Sequence, residues 1–344
     1  MDLYIFPQAA CLTDGYGIAV EHAYRLLSPK EDDVVVWYTN HRPDNIMYFR
    51  KKDYIIPKIP PLSWLSFSNI IRGRVRSELP VSKLSFLKQY TFEHIHCDEV
   101  IFYRALRQLF PGVPMTVRFH NCFSRILFRH KLLQNNIDLK FRITLRRELC
   151  IERIIFHDMS VKKVFLLDED RSFYTSMFGR YSDSEVWPFS PNKEKALNNR
   201  TTMINSTNLV WFGGLDSHKI ASMEWFVNNV YPAVTKKIPN VCLHLFGSGT
   251  KKFENPSKRI FGHGYYNGKD QVPMRNALYI NPDIMGGGIK LKLMTYYEAG
   301  VPFITTFFGF EGYNHELVDG EFCMVEEADN WENVIVNYIN NHKV

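Results

Sequence analysis

Three glycines followed closely by two lysines stand in the segment Asn281-Pro-Asp-Ile-Met-Gly-Gly-Gly-Ile-Lys290-Leu-Lys292, which runs on to Tyr297-Glu-Ala-Gly300-Val-Pro302. Glycines without Cβ atoms let a backbone approach an anion closely, and a helix that starts there adds about half a positive charge and unpaired N–H donors. Gly286, Gly287, Gly288 and Ile289 with the charges of Lys290 and Lys292 therefore describe a place for phosphate. The spacing is neither Gly-x-x-x-x-Gly-Lys-Ser/Thr nor Gly-x-Gly-x-x-Gly, which argues against a P-loop NTPase and an ordinary dinucleotide fold. The same residues also fit a glycine-rich turn before a surface helix with both lysines in water.

Strand and helix patterns alternate on either side of that segment. In the first half, strands are predicted at Leu3–Phe6, Val34–Tyr38, Tyr54–Ile56, Met115–Phe119 and Lys163–Leu167, with helices near 18–28, 98–109, 123–133, 140–156 and 169–178. The second half restarts at Asn208, with a helix near 218–237 and strands at Val241–Phe246, Arg259–Phe261, Ala277–Ile280, Phe303–Thr306 and Phe322–Val325. Such alternation predicts α/β architecture with parallel sheets covered on both faces. Two series predict two doubly wound, Rossmann-like domains, residues 1–190 and 191–330, facing a central cleft beyond their strand ends. The polar stretch 190–202 is the expected boundary. Residues 331–344 read as a final helix that packs on a domain face or crosses back to the first domain.

The bulk numbers agree with that organisation. A chain of 344 residues with 45% hydrophobic and 23% charged residues is a folded protein of two domains, with no apolar run long enough to span a bilayer and no signal-like N-terminus. The expectation is a cytosolic protein. Six scattered cysteines without a Cys-x-x-Cys pair suggest free thiols rather than zinc. Residues 1–190 carry 27 Lys+Arg against 21 Asp+Glu while 191–344 carry 15 of each, so the whole +6 excess lies in the first half. Its densest part, Trp64-Leu-Ser-Phe-Ser-Asn-Ile-Ile-Arg72-Gly-Arg74-Val-Arg76, joins apolar residues to Arg72, Arg74 and Arg76, which suits an anionic membrane surface or an acceptor held there. A partly buried loop with solvated arginines would read the same way. No nucleic-acid-reading module is present, so nucleic acid is not an expected partner.

Several second-half segments, in this order, resemble the retaining, nucleotide-sugar-dependent glycosyltransferases of the GT-B fold, of the group-1/family-four type found in bacterial surface polysaccharide biosynthesis. They are Val210-Trp-Phe-Gly213-Gly214 with Lys219, Trp225–Pro232, Leu245-Phe-Gly247-Ser-Gly249, Phe261-Gly-His-Gly264-Tyr265, the triple-glycine segment, Gly300-Val-Pro-Phe-Ile-Thr-Thr306 and Gly309-Phe-Glu311-Gly312. In the first half, Thr13-Asp-Gly15-Tyr-Gly17 resembles the family's loop facing donor phosphates and acceptor. Arg118-Phe-His120-Asn121 resembles the place of a histidine near the donor sugar, although a histidine there also serves as a satisfied structural residue. Val186–Asn192 resembles the approach to the interdomain hinge.

The resemblance implies a hexosyltransferase moving a sugar from a UDP- or GDP-linked donor to a saccharide or lipid-linked acceptor in polysaccharide, O-antigen or capsule synthesis, on the inner face of the plasma membrane. It implies His120, Lys219 and Lys290 as catalytic, Gly15, Gly17, Gly214, Gly286, Gly287, Gly288, Ile289 and Lys290 at the donor diphosphate, and Gly247, Tyr265, Thr295 and Glu298 at the nucleoside. The chain departs from the pattern where the family's ribose-binding glutamate would stand, which here is Thr295; Glu298 lies nearly one helical turn on, and the partner acid of the Glu-x7-Glu pair would fall at Gly287.

Fixed cations and helix dipoles can stabilise a departing diphosphate without a metal, so no metal and no cofactor are expected. The run Lys163-Val-Phe-Leu-Leu-Asp168-Glu-Asp170 keeps a metal route in view, since an apolar strand ending in Asp-x-Asp can hold a divalent ion, but acidic residues also begin helices. A sugar-nucleotide epimerase of the same fold and a non-catalytic partner subunit are the competing readings.

Overall fold

A computed structural model of the protein describes residues 1–10, 15–134, 137–179, 183–215, 217–266 and 272–343. The chain forms two compact units, residues 1–188 and 189–344.

The first unit is built on β1 (Asp2–Phe6), β2 (Val34–Tyr38), β3 (Tyr54–Ile56), β4 (His94–Cys97), β5 (Met115–Phe119), β6 (Val161–Phe165) and β7 (Ser184–Val186), with helices α1 (Gly15–Leu27), α2 (Trp64–Ile71), α3 (Tyr103–Leu109), α4 (Phe123–Gln134), α5 (Leu139–His157) and α6 (Asp168–Phe178). Its seven strands are all parallel in the order β3-β2-β1-β4-β5-β6-β7. The second unit opens with α7 (Lys193–Asn199) and continues through β8 (Asn208–Phe212), α8 (Ser217–Trp225), α9 (Tyr231–Lys237), β9 (Cys242–Phe246), β10 (Ile260–Gly264), β11 (Leu278–Asn281), α10 (Leu291–Glu298), β12 (Phe303–Thr305), β13 (Cys323–Val325) and α11 (Trp331–Asn341). Its six parallel strands run β10-β9-β8-β11-β12-β13. In both sheets the strand order reverses beside the first strand, between β1 and β4 and between β8 and β11. That crevice is where open α/β sheets bind ligands.

Cover on both faces of a parallel sheet explains why β1, β2, β8 and β12 are almost wholly apolar, successive residues entering opposite cores. Leu3, Ile5, Val34 and Val36 enter the core on one face of the first sheet, while Tyr4, Phe6, Val35 and Trp37 fill the other. In the second sheet Leu209, Trp211, Leu243 and Ile280 face one core and Val210, Tyr279 and Phe303 the opposite one. Helix α11 buries Trp331, Ile335 and Ile339 in the first of these and packs on α9, so the final helix belongs to the second sheet.

Four elements were not foreseen, the short edge strand β7 among them. Strand β4 reads His-Ile-His-Cys, without the β-branched run that marks its neighbours, yet it is central: His96 stacks on Tyr4 with ring centroids 4.5 Å apart, and His94 Nε2 lies 2.8 Å from Thr116 Oγ1. Helix α2 falls in the arginine-rich segment, and α7 forms inside the polar stretch read as a boundary. Asn192 caps α7 by accepting from Lys195 N at 2.9 Å, which supplies the helix start that composition concealed.

Candidate functional site

The crevice of the second sheet is bordered by the loops after β8 and β11. Gly213 and Gly247, after β8 and β9, hold φ of +144° and +126°, and a Cβ on Gly247 would lie 1.9 Å from the Gly213 carbonyl oxygen. The two loops therefore touch backbone to backbone, held further by Gly213 N donating to Phe246 O and Leu215 N to Ser248 O, each at 3.0 Å. Gly247 thus has a packing reason of its own. Gly214 is exposed beside Ser248, and Tyr265 stands exposed just beyond β10.

After β11 the chain passes Asp283 and reaches the glycines. Gly286 has φ +116° with open space where a Cβ would be, and Gly288 has φ +65°, so backbone conformation demands both glycines. Lys290 occupies the N-cap of α10. Its Nζ donates to Gly288 O at 2.7 Å and Gly287 O at 3.3 Å, and stands 4.7 Å from the Phe308 ring centre. Tyr313 holds the backbone in place by donating to Lys290 O at 3.0 Å. Partly buried Ile289 packs into the core beneath. Cationic side chain, glycine backbone and helix N-terminus thus meet at one point.

Lys292 departs from expectation. Its ammonium lies 3.2 Å from Asp283 Oδ2, both groups are deeply buried, and it sits 5.0 Å from the Trp211 ring centre. That charge is neutralised inside the protein. Asp283, which sequence reading passed over, also ties strands together: its carbonyl accepts from Thr306 Oγ1, which in turn accepts from Gly309 N at 2.8 Å. Ile284 N donates to Ser222 Oγ of α8 at 3.2 Å. Lys219 lies three residues before Ser222 on α8, a spacing that puts the two near one helix face.

The nucleoside residues fare differently. Thr295 donates to Leu291 O of its own helix at 3.5 Å. Glu298 accepts from Lys195 Nζ at 2.9 Å and Asn192 N at 3.1 Å, and its carbonyl accepts from Asn199 Nδ2. The glutamate expected near ribose is engaged in docking α7. Gly300 belongs to the same contact, because a Cβ there would meet the Asn199 carbonyl carbon at 2.4 Å.

In the first unit the corresponding crevice holds Gly15 and Gly17 at the start of α1; Thr13 and Asp14 of the same motif lie outside the described residues. His120 follows β5, is buried, and puts Nε2 2.9 Å from Asp98 Oδ2. Arg118 Nε lies 3.0 Å from Asp98 Oδ1, and its Nη2 donates to Ala19 O at 2.8 Å. Asp98, just after β4, thus holds Arg118 and His120 of the neighbouring strand and its loop, and Arg118 carries the link on to α1. Burial and nearby Arg118 and Arg25 lower His22, on α1, to about 4.

Neither acidic motif residue is poised for an ion. Asp168 and Asp170 lie in the first turn of α6 and pair with Arg171 and, at 2.8 Å, Arg125. Among the described residues no group of three or more His, Cys, Asp or Glu is placed to hold a metal ion. Of the three arginines, Arg74 faces Glu78 at 3.8 Å and Arg76 donates to Ser66 Oγ at 2.8 Å and to Pro61 O, while Arg72 is exposed at the end of α2. Among the described residues no helix is long and apolar enough to cross a membrane.

Residues 206–341 match the model of the family described as glycosyl transferases group 1. The fold is similar over 99% of this chain to the glycosyltransferase WaaG, described as involved in lipopolysaccharide biosynthesis (TM-score 0.64, 15% identity, 90% of that chain covered). It is also similar to sucrose-phosphate synthase of Thermosynechococcus elongatus (TM-score 0.66, 13% identity, 99% and 90% of the two chains). A third likeness is to HepE of Anabaena, solved with UDP (TM-score 0.62, 13% identity, 99% and 90%). No curated protein matches the chain by sequence. The two parallel sheets are those of GT-B structures, and the second carries a group 1 glycosyltransferase domain.

Proposed function

We propose that this protein transfers a hexosyl group from a UDP- or GDP-linked sugar to a saccharide acceptor carried on a lipid, in the synthesis of a surface polysaccharide, without a metal and with retention of configuration. The observation that carries this reading is the junction of Gly286–Gly288, Lys290 and the start of α10 beside the reversal of strand order in the second sheet. HepE, a neighbour in fold, was solved with UDP-glucose.

Breaking the bond between the anomeric carbon and the diphosphate oxygen leaves positive charge on the sugar and negative charge on the phosphate. Lys290, whose ammonium rests on two carbonyls, would exchange them for phosphate oxygens, with Lys219 and the amides of residues 286–288 completing the cradle. The departing phosphate then accepts the proton of the acceptor hydroxyl as that oxygen bonds the anomeric carbon on the same face. An epimerase would need a carboxylate at the sugar carbon, and near the glycine loop Asp283 is committed to Lys292 and Glu298 to Lys195.

Calorimetric titration with UDP and GDP tests the reading, followed by release of free sugar from UDP- and GDP-hexoses. One nucleotide should bind and its hexose should be hydrolysed slowly without acceptor. Binding of neither would favour the non-catalytic partner, a reading to which Thr295 at the ribose position lends support.

A further inference from the structure

Helix α2 is built inside out. The residues it buries are polar, Ser66 and Asn69, and they serve the chain that follows: Asn69 Nδ2 donates to Glu78 O at 2.7 Å and Arg76 O at 3.2 Å, and Ser66 Oγ accepts from Arg76. The residues it turns outward are large and apolar. Trp64 is 75% exposed, Phe67 52% and Ile71 67%, at spacings of three and four that put them on one helix face, and Leu62 just before the helix is 94% exposed. A soluble helix presents the reverse pattern.

Helix α5 adjoins it, since Arg147 Nη2 donates to Ile70 O at 2.9 Å. Its outer face carries Leu139, 73% exposed, and Ile143 among Lys140, Arg142 and Arg146. Of its carboxylates, Asp138 caps the helix by accepting from Phe141 N, Glu152 is buried against Ser124, and burial together with neighbouring Glu152, Glu99 and Glu78 pushes Glu148 up to about 8. Arg72 adds one more exposed cation at the end of α2. The surface is therefore apolar at its crest and positive at its flank. A water-facing surface would not concentrate such apolar area, and an acidic protein groove would not call for three outward aromatic and aliphatic anchors on one helix.

We propose that α2, flanked by α5, seats the first unit on an anionic lipid bilayer, with Trp64, Phe67 and Ile71 entering the boundary between headgroups and acyl chains and the cations of α5 meeting lipid phosphates. The assignment moves the apolar contact to α2 and the charge to α5; of the three arginines, Arg74 faces Glu78 and Arg76 donates to Ser66 Oγ and Pro61 O. It deepens the reading above and rests on it for what docking brings within reach, an acceptor carried on lipid.

The full chain should sediment with vesicles of phosphatidylcholine and phosphatidylglycerol and much less with phosphatidylcholine alone. The variant W64S/F67S/I71S should lower partitioning by at least about tenfold, and R142S/R146S should lower it less while flattening its dependence on salt. Both variants should keep the parent's thermal unfolding and nucleotide binding, which separates a lost surface from a lost fold. The proposal is overturned if the parent ignores the anionic vesicles, if W64S/F67S/I71S partitions like the parent, or if the parent is a dimer that this variant dissociates while vesicles have no effect. Vesicle binding without UDP or GDP binding would keep this surface and remove the proposed reaction; nucleotide binding without vesicle binding would overturn the surface alone.

Discussion

The two sheets share a strand order and diverge at the point where that order reverses. Beside β1 and β4, the charged groups satisfy one another: Asp98 takes Arg118 and His120, all three buried. Beside β8 and β11, Lys290 rests on two glycine carbonyls and an aromatic face at the mouth of a helix. Equal topology thus carries two different arrangements at the reversal, a buried ion-pair cluster in one sheet and a lysine folded onto glycine backbone in the other.

The sharpest test of that contrast is Asp98→Ala. It leaves a buried arginine without its counter-charge and should cost about 3 to 5 kcal/mol of stability, read by urea unfolding. A loss below ~1 kcal/mol would mean that the first crevice is not held by this ion pair. Lys290→Ala should behave oppositely, lowering turnover by about 10²- to 10³-fold while moving the unfolding midpoint little. If stability falls and turnover does not, the two crevices have the same role and the comparison fails.

Titration offers a further handle on the first unit. Glu148 is raised in the folded state to about 8 from an ordinary value near 4.5. Folding therefore favours its protonated form, and the contribution is full below about 4.5 and lost as pH rises toward 8. Glu148→Gln should flatten the fall in stability between pH 5 and 8; an unchanged slope would assign that fall to other groups. The smallest effect is expected at Glu298, whose partly buried pair with Lys195 suggests a loss on the order of 1 kcal/mol in Glu298→Gln and no change in nucleotide affinity. A large drop in affinity would return this residue to the ribose.

Much of the candidate site was legible because its signals are local. A strand, glycines and a helix start within a dozen residues mark a backbone that glycine adopts most readily, and Gly286 and Gly288 hold positive φ. Asp98 and Asp283 were not legible, since each matters through partners on other elements: Asp98 meets Arg118 and His120 across neighbouring strands, and Asp283 meets Lys292 over a loop. β4 escaped notice because histidine and cysteine carry no strand signature; their place beside β1 comes from stacking on Tyr4 and pairing along the sheet. The Gly300 motif was recognisable by order alone, but its cause, the close approach of Asn199, involves a helix hidden in a polar stretch.

Sequence by itself determined the alternation of strands and helices and the glycine junction that leads into α10, because period-two apolarity and glycine conformation are properties of short segments. Tertiary structure alone decided which partner each charge meets. Lys292, Arg74, Arg76 and Glu298 look alike as charged residues of polar segments along the chain, yet each meets a group that folding brings to it. Pairing depends on distance in space, and a few ångströms separate a neutralised charge from one that can meet a substrate.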